Sequence, residues 1–175
     1  MANNTPLLGS MSDAISFIRS PYVNKDNGYP DRQGAKNIGS FNIIDHTLNW
    51  VTQAQYGVTP AIANGIIFAA ERGPGVAQLD ALSEKDGHVL WSWTPPATDM
   101  VFLNNIVVCR NLAFVSTDKA TYAIDLATHQ SVWSYPATGA LALSTQGVLY
   151  VETQTVNSSS AFESNGHLIA IRLHN

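Results

Sequence analysis

Apolar and polar residues alternate along this chain in short runs, broken by turn residues every few positions. The runs Val58-Thr59-Pro60-Ala61-Ile62-Ala63 and Ile66-Ile67-Phe68-Ala69 flank Asn64-Gly65. Asn-Gly between two apolar runs predicts a hairpin, because both residues tolerate the positive φ that a tight strand-to-strand turn demands. The same strand–turn–strand pattern returns over residues 141–151 around Gln146-Gly147, and over residues 107–115 around Arg110-Asn111. Val, Ile, Phe, Tyr and Thr fill the runs, the side chains that suit a pleated surface. Helical spacing is confined to residues 12–18, too short a stretch to favour a helix, and residues 5–18 align with Thr59 to Phe68 as strands with a longer turn. A further strand follows in each unit, clearest in Ala120-Thr121-Tyr122-Ala123-Ile124-Asp125 and repeated as Gly166-His167-Leu168-Ile169-Ala170-Ile171-Arg172.

The pattern is periodic over the whole chain. Trp50, Trp91 and Trp133 recur at intervals of 41 and 42 residues. Ten residues before each stands a small side chain (Ser40, Ala81, Ala123), with a polar one two positions later (Asn42, Ser83, Asp125). Asp or Thr occupies the fifth position after the small residue (Asp45, Asp86, Thr128), and His46, Gly87 or His129 the sixth. Self-similarity at a fixed period marks a repeat architecture. With strand-like segments and a period near 40, it predicts an all-β propeller built from four-stranded antiparallel blades. About four blades are present, over residues 1–50, 51–93, 94–135 and 136–175 of one domain. The first unit lacks an opening strand and the last lacks a tryptophan, so two arrangements stay open: a small closed ring of four blades, or a half-propeller. A half-propeller has open edges that seek partners, and two copies related by a two-fold axis would complete a ring.

The repeat resembles the blade of the pyrroloquinoline-quinone-like (PQQ-like, or quinoprotein-type) β-propeller family, whose tryptophan-docking pattern reads Ala-x-Asp-x-x-Thr-Gly-x-x-x-Trp. Ala123, Asp125, Thr128 and Trp133 match it, with His129 in the Gly place. Ala81, Gly87 and Trp91 match, and Ser40, Asn42, Asp45 and Trp50 match by residue type. In such a blade the polar residues bond local backbone groups at the turn. The indole lies between neighbouring blades, burying a large flat surface while its N–H finds a carbonyl. The resemblance implies a non-catalytic binding or scaffold module for protein partners, as in the scaffold members that act in outer-membrane assembly, with a bacterial-envelope setting, periplasmic or extracellular. The alternative it implies is a fragment of an oxidoreductase dependent on pyrroloquinoline quinone and calcium.

Composition narrows these readings. Net charge is −4 and no run of basic residues occurs, which argues against a nucleic-acid binder. No apolar stretch is long enough for a membrane-spanning helix, and the opening Met1-Ala2-Asn3-Asn4-Thr5 has neither the basic nor the apolar region of a signal peptide. The single cysteine, Cys109, excludes an internal disulfide, including the adjacent-cysteine disulfide of the quinone enzymes, and its apolar surroundings predict a buried thiol. No Gly-x-Ser-x-Gly and no phosphate loop is present, and Glu71-Arg72-Gly73-Pro74-Gly75 reads as a turn. His46, His88 and His129 recur near the repeat turn and read as surface residues rather than a metal ring.

No catalytic residue and no cofactor is expected. Candidate contacts fall on the long insertion over residues 20–38, where Tyr22, Tyr29 and Arg32 would meet a partner, since ordered loops on a rigid scaffold carry recognition. Asp26, Asn27 and Asp31 of that loop are the candidate calcium ligands, although their spacing is not that of an EF-hand. Trp93 breaks the repeat pattern and is the candidate ligand-stacking ring. The insertion over residues 153–165 is a second candidate for such contacts, although its serine run reads as flexible.

Overall fold

The computed structural model describes residues 13–19, 36–71, 77–156 and 164–173. Among them the secondary structure is all strand, with no helix. The strands are β1 (Asp13–Arg19), β2 (Lys36–Asn42), β3 (Thr47–Val51), β4 (Ala61–Ala63), β5 (Ile66–Glu71), β6 (Gln78–Ser83) and β7 (Val89–Trp93). They continue as β8 (Phe102–Val108), β9 (Leu112–Thr117), β10 (Thr121–Asp125), β11 (Ser131–Tyr135), β12 (Ala140–Leu143), β13 (Val148–Val156) and β14 (Ser164–Arg172). They form four antiparallel meanders in chain order, β1-β2-β3, β4-β5-β6-β7, β8-β9-β10-β11 and β12-β13-β14. The fold is a partial β-propeller, with two blades of four strands and two of three among the described residues. Asn64 and Gly65, at φ 53° and 76°, make the hairpin read from the sequence.

Three apolar clusters hold successive sheets face to face, and the period-2 alternation of each strand decides which cluster a residue joins. In the second blade Ile67, Ala69 and Leu82 meet Ile38 and Tyr56 on the first-blade side. Their neighbours Phe68, Ala70, Leu79 and Ala81 meet Ala113, Val115, Tyr122 and Ile124 of the third blade. Phe114 and Ala123, on the opposite face of the third blade, pack on Leu141, Leu149 and Val151 of the fourth. The middle strands are therefore buried on both faces, and this is why β5 and β9 read as near-continuous apolar runs. Each fully buried Phe or Leu contributes about 2–3 kcal/mol through area removed from water.

The inner strands are also laced together. Asn104, at φ 57°, opens a bulge in β8 where the register breaks between Leu103 and Val107. The N–H of Thr59 donates to the carbonyl of Asn104 at 3.0 Å, and Ile106 N–H donates to the carbonyl of Thr59 at 3.1 Å. On the other side the Asn105 amide acts as a surrogate peptide: its Nδ2 donates to the Leu141 carbonyl at 2.8 Å, and its Oδ1 accepts from Leu141 N–H at 3.0 Å. Blades two, three and four are joined at their inner edges through this one bulge.

Two segments depart from the expectations. Residues 153–156 and 164–165 are strand, not loop, because β13 and β14 stay in register out to the Val156–Ser164 pair; only the tip of that insertion lies outside the described residues. Cys109 is half-buried rather than buried. It sits at the turn between β8 and β9, against the edge of the cluster between blades three and four.

Candidate functional site

The repeat turn has the same construction in three blades. The small residues Ser40, Ala81 and Ala123 pair directly across the sheet with Trp50, Trp91 and Trp133. Directly opposed residues share a face, so a small side chain leaves room for the indole. A bulge follows the small residue in every case, between Ser40 and Phe41, Ala81 and Leu82, and Ala123 and Ile124. In the first and third blades the polar residue two positions on then caps the turn. Asn42 Oδ1 accepts from Ile44 N and Asp45 N at 2.9 and 3.0 Å. Asp125 Oδ1 accepts from Ala127 N at 3.0 Å, Thr128 N at 2.7 Å and Thr128 Oγ1 at 3.0 Å. The Thr128 backbone and hydroxyl donors hold the Asp125 carboxyl below its ordinary range. In the second blade the carboxylate is Asp86, whose donors are the Ser83 hydroxyl and His88, with the same downward direction.

The sixth position of the repeat is left-handed in all three copies, His46 at φ 55°, Gly87 at 73° and His129 at 60°. In the second and third blades that turn receives the tryptophan of the preceding blade. The benzene half of Trp50 lies over Gly87 so closely that a Cβ there would stand 2.5 Å from Trp50 Cε3. Trp91 stacks on the His129 ring, with centroids 4.4 Å apart and planes 13° from parallel, and meets Phe68 edge-on. Glycine lets the indole touch backbone, and histidine offers a flat ring instead. Trp133 has neither arrangement among the described residues and lies parallel to Tyr135, with centroids 6.0 Å apart. The indole N–H of Trp50 does not find the carbonyl expected of it; Nε1 is buried with no acceptor among the described residues.

A second polar feature spans blades two and three. Asp80, only 2% exposed, accepts from the Tyr56 hydroxyl at 3.0 Å, Gln78 Nε2 at 2.7 Å and Ser92 Oγ at 2.6 Å. Asp99, 6% exposed, accepts from Thr117 Oγ1 at 2.6 Å and the Tyr122 hydroxyl at 2.9 Å. Asp80 and Tyr122 hold the same place, one residue before Ala81 and Ala123. Tyr56 and Asp99 lie on the segments that lead into their blades. The partners are thus exchanged, with Tyr on the loop and Asp on the strand in one blade and the reverse in the next.

Burial, then the bond to Asp99 and its charge, push the Tyr122 hydroxyl up to about 12 from an ordinary 10. Burial and Asp80 push Tyr56 up still further. Raised folded-state values mean that this stability is intact below pH 10 and is lost as pH climbs toward 12. Denaturant melts at pH 9 and pH 11 are expected to show the fall, and Tyr122→Phe to reduce it. An unchanged midpoint between those pH values would contradict the assignment.

Among the sequence candidates, Tyr22, Tyr29, Arg32, Asp26, Asn27 and Asp31 lie outside the described residues. Trp93 is placed in the core, 8% exposed and tilted against Phe102 and Tyr122, so its faces are spent on packing between blades two and three rather than offered to a ligand. Two residues from Trp91, it faces the same side by strand alternation, a signal that the break in the repeat obscured. No three His, Cys, Asp or Glu side chains gather among the described residues in a way that could hold a metal ion. Among the described residues, Asp80 and Asp99 are turned into the blades and satisfied by hydroxyl and amide donors.

Comparison with known proteins follows the fold. The family profile described as outer membrane protein assembly factor BamB, a PQQ-like repeat family, matches residues 36–175. Among solved structures, BamB from Moraxella catarrhalis superposes with a TM-score of 0.53 at 13% identity, over 71% of this chain and 46% of that one. A europium-containing methanol dehydrogenase superposes with a TM-score of 0.60 at 14% identity, over 78% of this chain and 36% of that one. The chain spans less than half the length of either, and identities this low speak for the fold alone. No curated protein sequence matches.

Proposed function

The chain belongs to the PQQ-like repeat family described as outer membrane protein assembly factor BamB, and on that premise we propose that it is a non-catalytic β-propeller module that binds protein partners in the bacterial envelope. The observation that carries this reading is where the buried carboxylates go. Asp80 and Asp99 are committed to tyrosine and hydroxyl partners within the scaffold, which supports a structural role for them over that of a general base or a calcium cradle. The surface, by contrast, offers apolar contact area on the outer strands and their turns, with Ile44 71%, Leu48 50%, Val89 48% and Leu90 46% exposed. Apolar side chains of this kind anchor protein interfaces when a partner removes them from water.

The reading is tested by capturing partners from an outer-membrane protein preparation and re-measuring binding with the purified partner. Ile44→Asp is expected to weaken that binding about tenfold or more, the loss of one buried aliphatic anchor. Recovery of no partner, or affinity indifferent to Ile44 and Leu90 substitutions, would refute it. The alternative, a fragment of a quinone- and calcium-dependent oxidoreductase, predicts a spectral shift when pyrroloquinoline quinone and calcium are added. The binding-module reading predicts none.

A further inference from the structure

Two acidic side chains lie in adjacent rows on one face of the second blade. Tyr56, on the segment that leads in from the first blade, pairs across the backbone with Glu71 at the end of β5. Glu71 pairs in turn with Gln78 of β6. Directly opposed residues share a face, so Tyr56, Glu71 and Gln78 make one row. Asp80 is two residues from Gln78 and therefore on the same face, in the next row, where Ala69 and Ser92 flank it.

The donors in these rows are unequally shared. The Tyr56 hydroxyl, Gln78 Nε2 and Ser92 Oγ all donate to Asp80. Among the described residues no lysine, arginine or histidine forms an ion pair with Glu71 or Asp80. The polar groups facing Glu71 are Asp80 and Gln78 from β6 and Tyr56 from the lead-in segment, while the first blade brings apolar Ile38 to this face. Glu71 is half-buried. Burial, then the charge of Asp80, raise its carboxyl above the ordinary range. The lead-in segment is fastened at the same place, with Gly57 N–H donating to the Ala70 carbonyl at 3.0 Å.

We propose that Glu71 and Asp80 form an acid-tightened latch: a proton taken up by Glu71 as the surroundings acidify removes one of two facing charges and fastens the lead-in segment to the second blade, and its release loosens that attachment. A carboxyl raised by folding favours its protonated form in the folded state. The latch is therefore closed below the ordinary glutamate value of about 4.3 and weakens as pH rises through the folded-state value.

The test is amide hydrogen exchange at Gly57 in the full chain at pH 7.5 and pH 5, corrected for the intrinsic pH dependence of exchange, with NMR titration of the Glu71 carboxyl carbon. Protection of Gly57 is expected to rise at least about threefold on acidification, and the Glu71 resonance to titrate above the range of free glutamate. Glu71→Gln, close in shape and uncharged, is expected to hold the low-pH protection at both values. It should also be more stable than the native chain to denaturant at pH 7.5, by a margin that shrinks as pH falls. Asp80→Asn, which removes the facing charge, should return the Glu71 titration toward the ordinary range. Protection in the native chain that ignores pH, a Glu71→Gln chain less stable than native at pH 7.5, or a Glu71 titration indifferent to Asp80→Asn would each overturn the proposal.

Discussion

Gly87→Ala is expected to lower folding stability by about 3–4 kcal/mol, as measured by chemical denaturation. Two costs combine. The residue sits at φ +73°, where a Cβ meets backbone oxygen and costs about 1–2 kcal/mol. The larger cost is steric: the new Cβ would stand 2.5, 2.8 and 2.9 Å from Cε3, Cζ3 and Cδ2 of Trp50. Those atoms belong to a rigid ring, not to the free end of a flexible chain, and the ring is backed by the cluster of Ile38, Tyr56, Ile67, Ala69 and Leu82. Relieving the clash means lifting the indole off its seat, with the loss of roughly 2–3 kcal/mol of burial. The cycle with Trp50→Ala tests this account. Once the indole is gone, Gly87→Ala should cost only its backbone share, about 1 kcal/mol. Additive effects in the double variant would show that the ring and the glycine do not act on one another.

Asp80→Ala is the second large effect, about 3–4 kcal/mol. Three donors converge on this carboxylate, and a hydrogen bond to a charged group contributes about 1.5–3 kcal/mol net. Gln78 and Ser92 retain each other, Nε2 donating to Oγ at 3.3 Å, and Ser92 is exposed enough to reach water. Tyr56 has no such outlet. At 1% exposure its hydroxyl would be left buried and unpaired, itself a cost of about 1–3 kcal/mol. Tyr56→Phe alone is expected to cost about 1–2 kcal/mol, yet in the Asp80→Ala background it should be neutral or stabilising, because it removes the orphaned hydroxyl. That change of sign is the signature of a direct pair, and its absence in the double-mutant cycle would refute the network.

The architecture was legible because its cause is local and repeated. A tryptophan every 41 or 42 residues, a small residue ten before it and a turn residue four before it each have a steric function, and the structure uses all three. The Asn64-Gly65 hairpin was legible for the same reason, since few residue pairs accept that turn. What escaped depended on neighbours distant in the chain. Trp93 looked like an exception to the repeat and so like a ligand platform, but strand alternation sends it to the side of Trp91. The Tyr56–Asp80 and Asp99–Tyr122 pairs link residues about two dozen positions apart and lie in a repeat column that also holds Gly39 and Ile169, so no periodic signal marks them. The strands beyond Thr153 were masked by a serine-bearing tip whose composition reads as loop, whereas register with the opposing strand carries the ladder outward.

The exchanged tyrosine and aspartate have a consequence for assembly. Near-identical neighbouring units invite errors in which a lead-in segment attaches to the strand of the wrong unit. Here such an error is penalised: it would place Tyr56 against Tyr122, two phenols competing for one absent acceptor, or Asp99 against Asp80, two acidic groups shut away from water with no cation between them. Only the native partnering matches a donor to an acceptor at both places. Reversing polarity from one unit to the next thus works as a key that keeps similar modules in their proper sequence while the chain condenses.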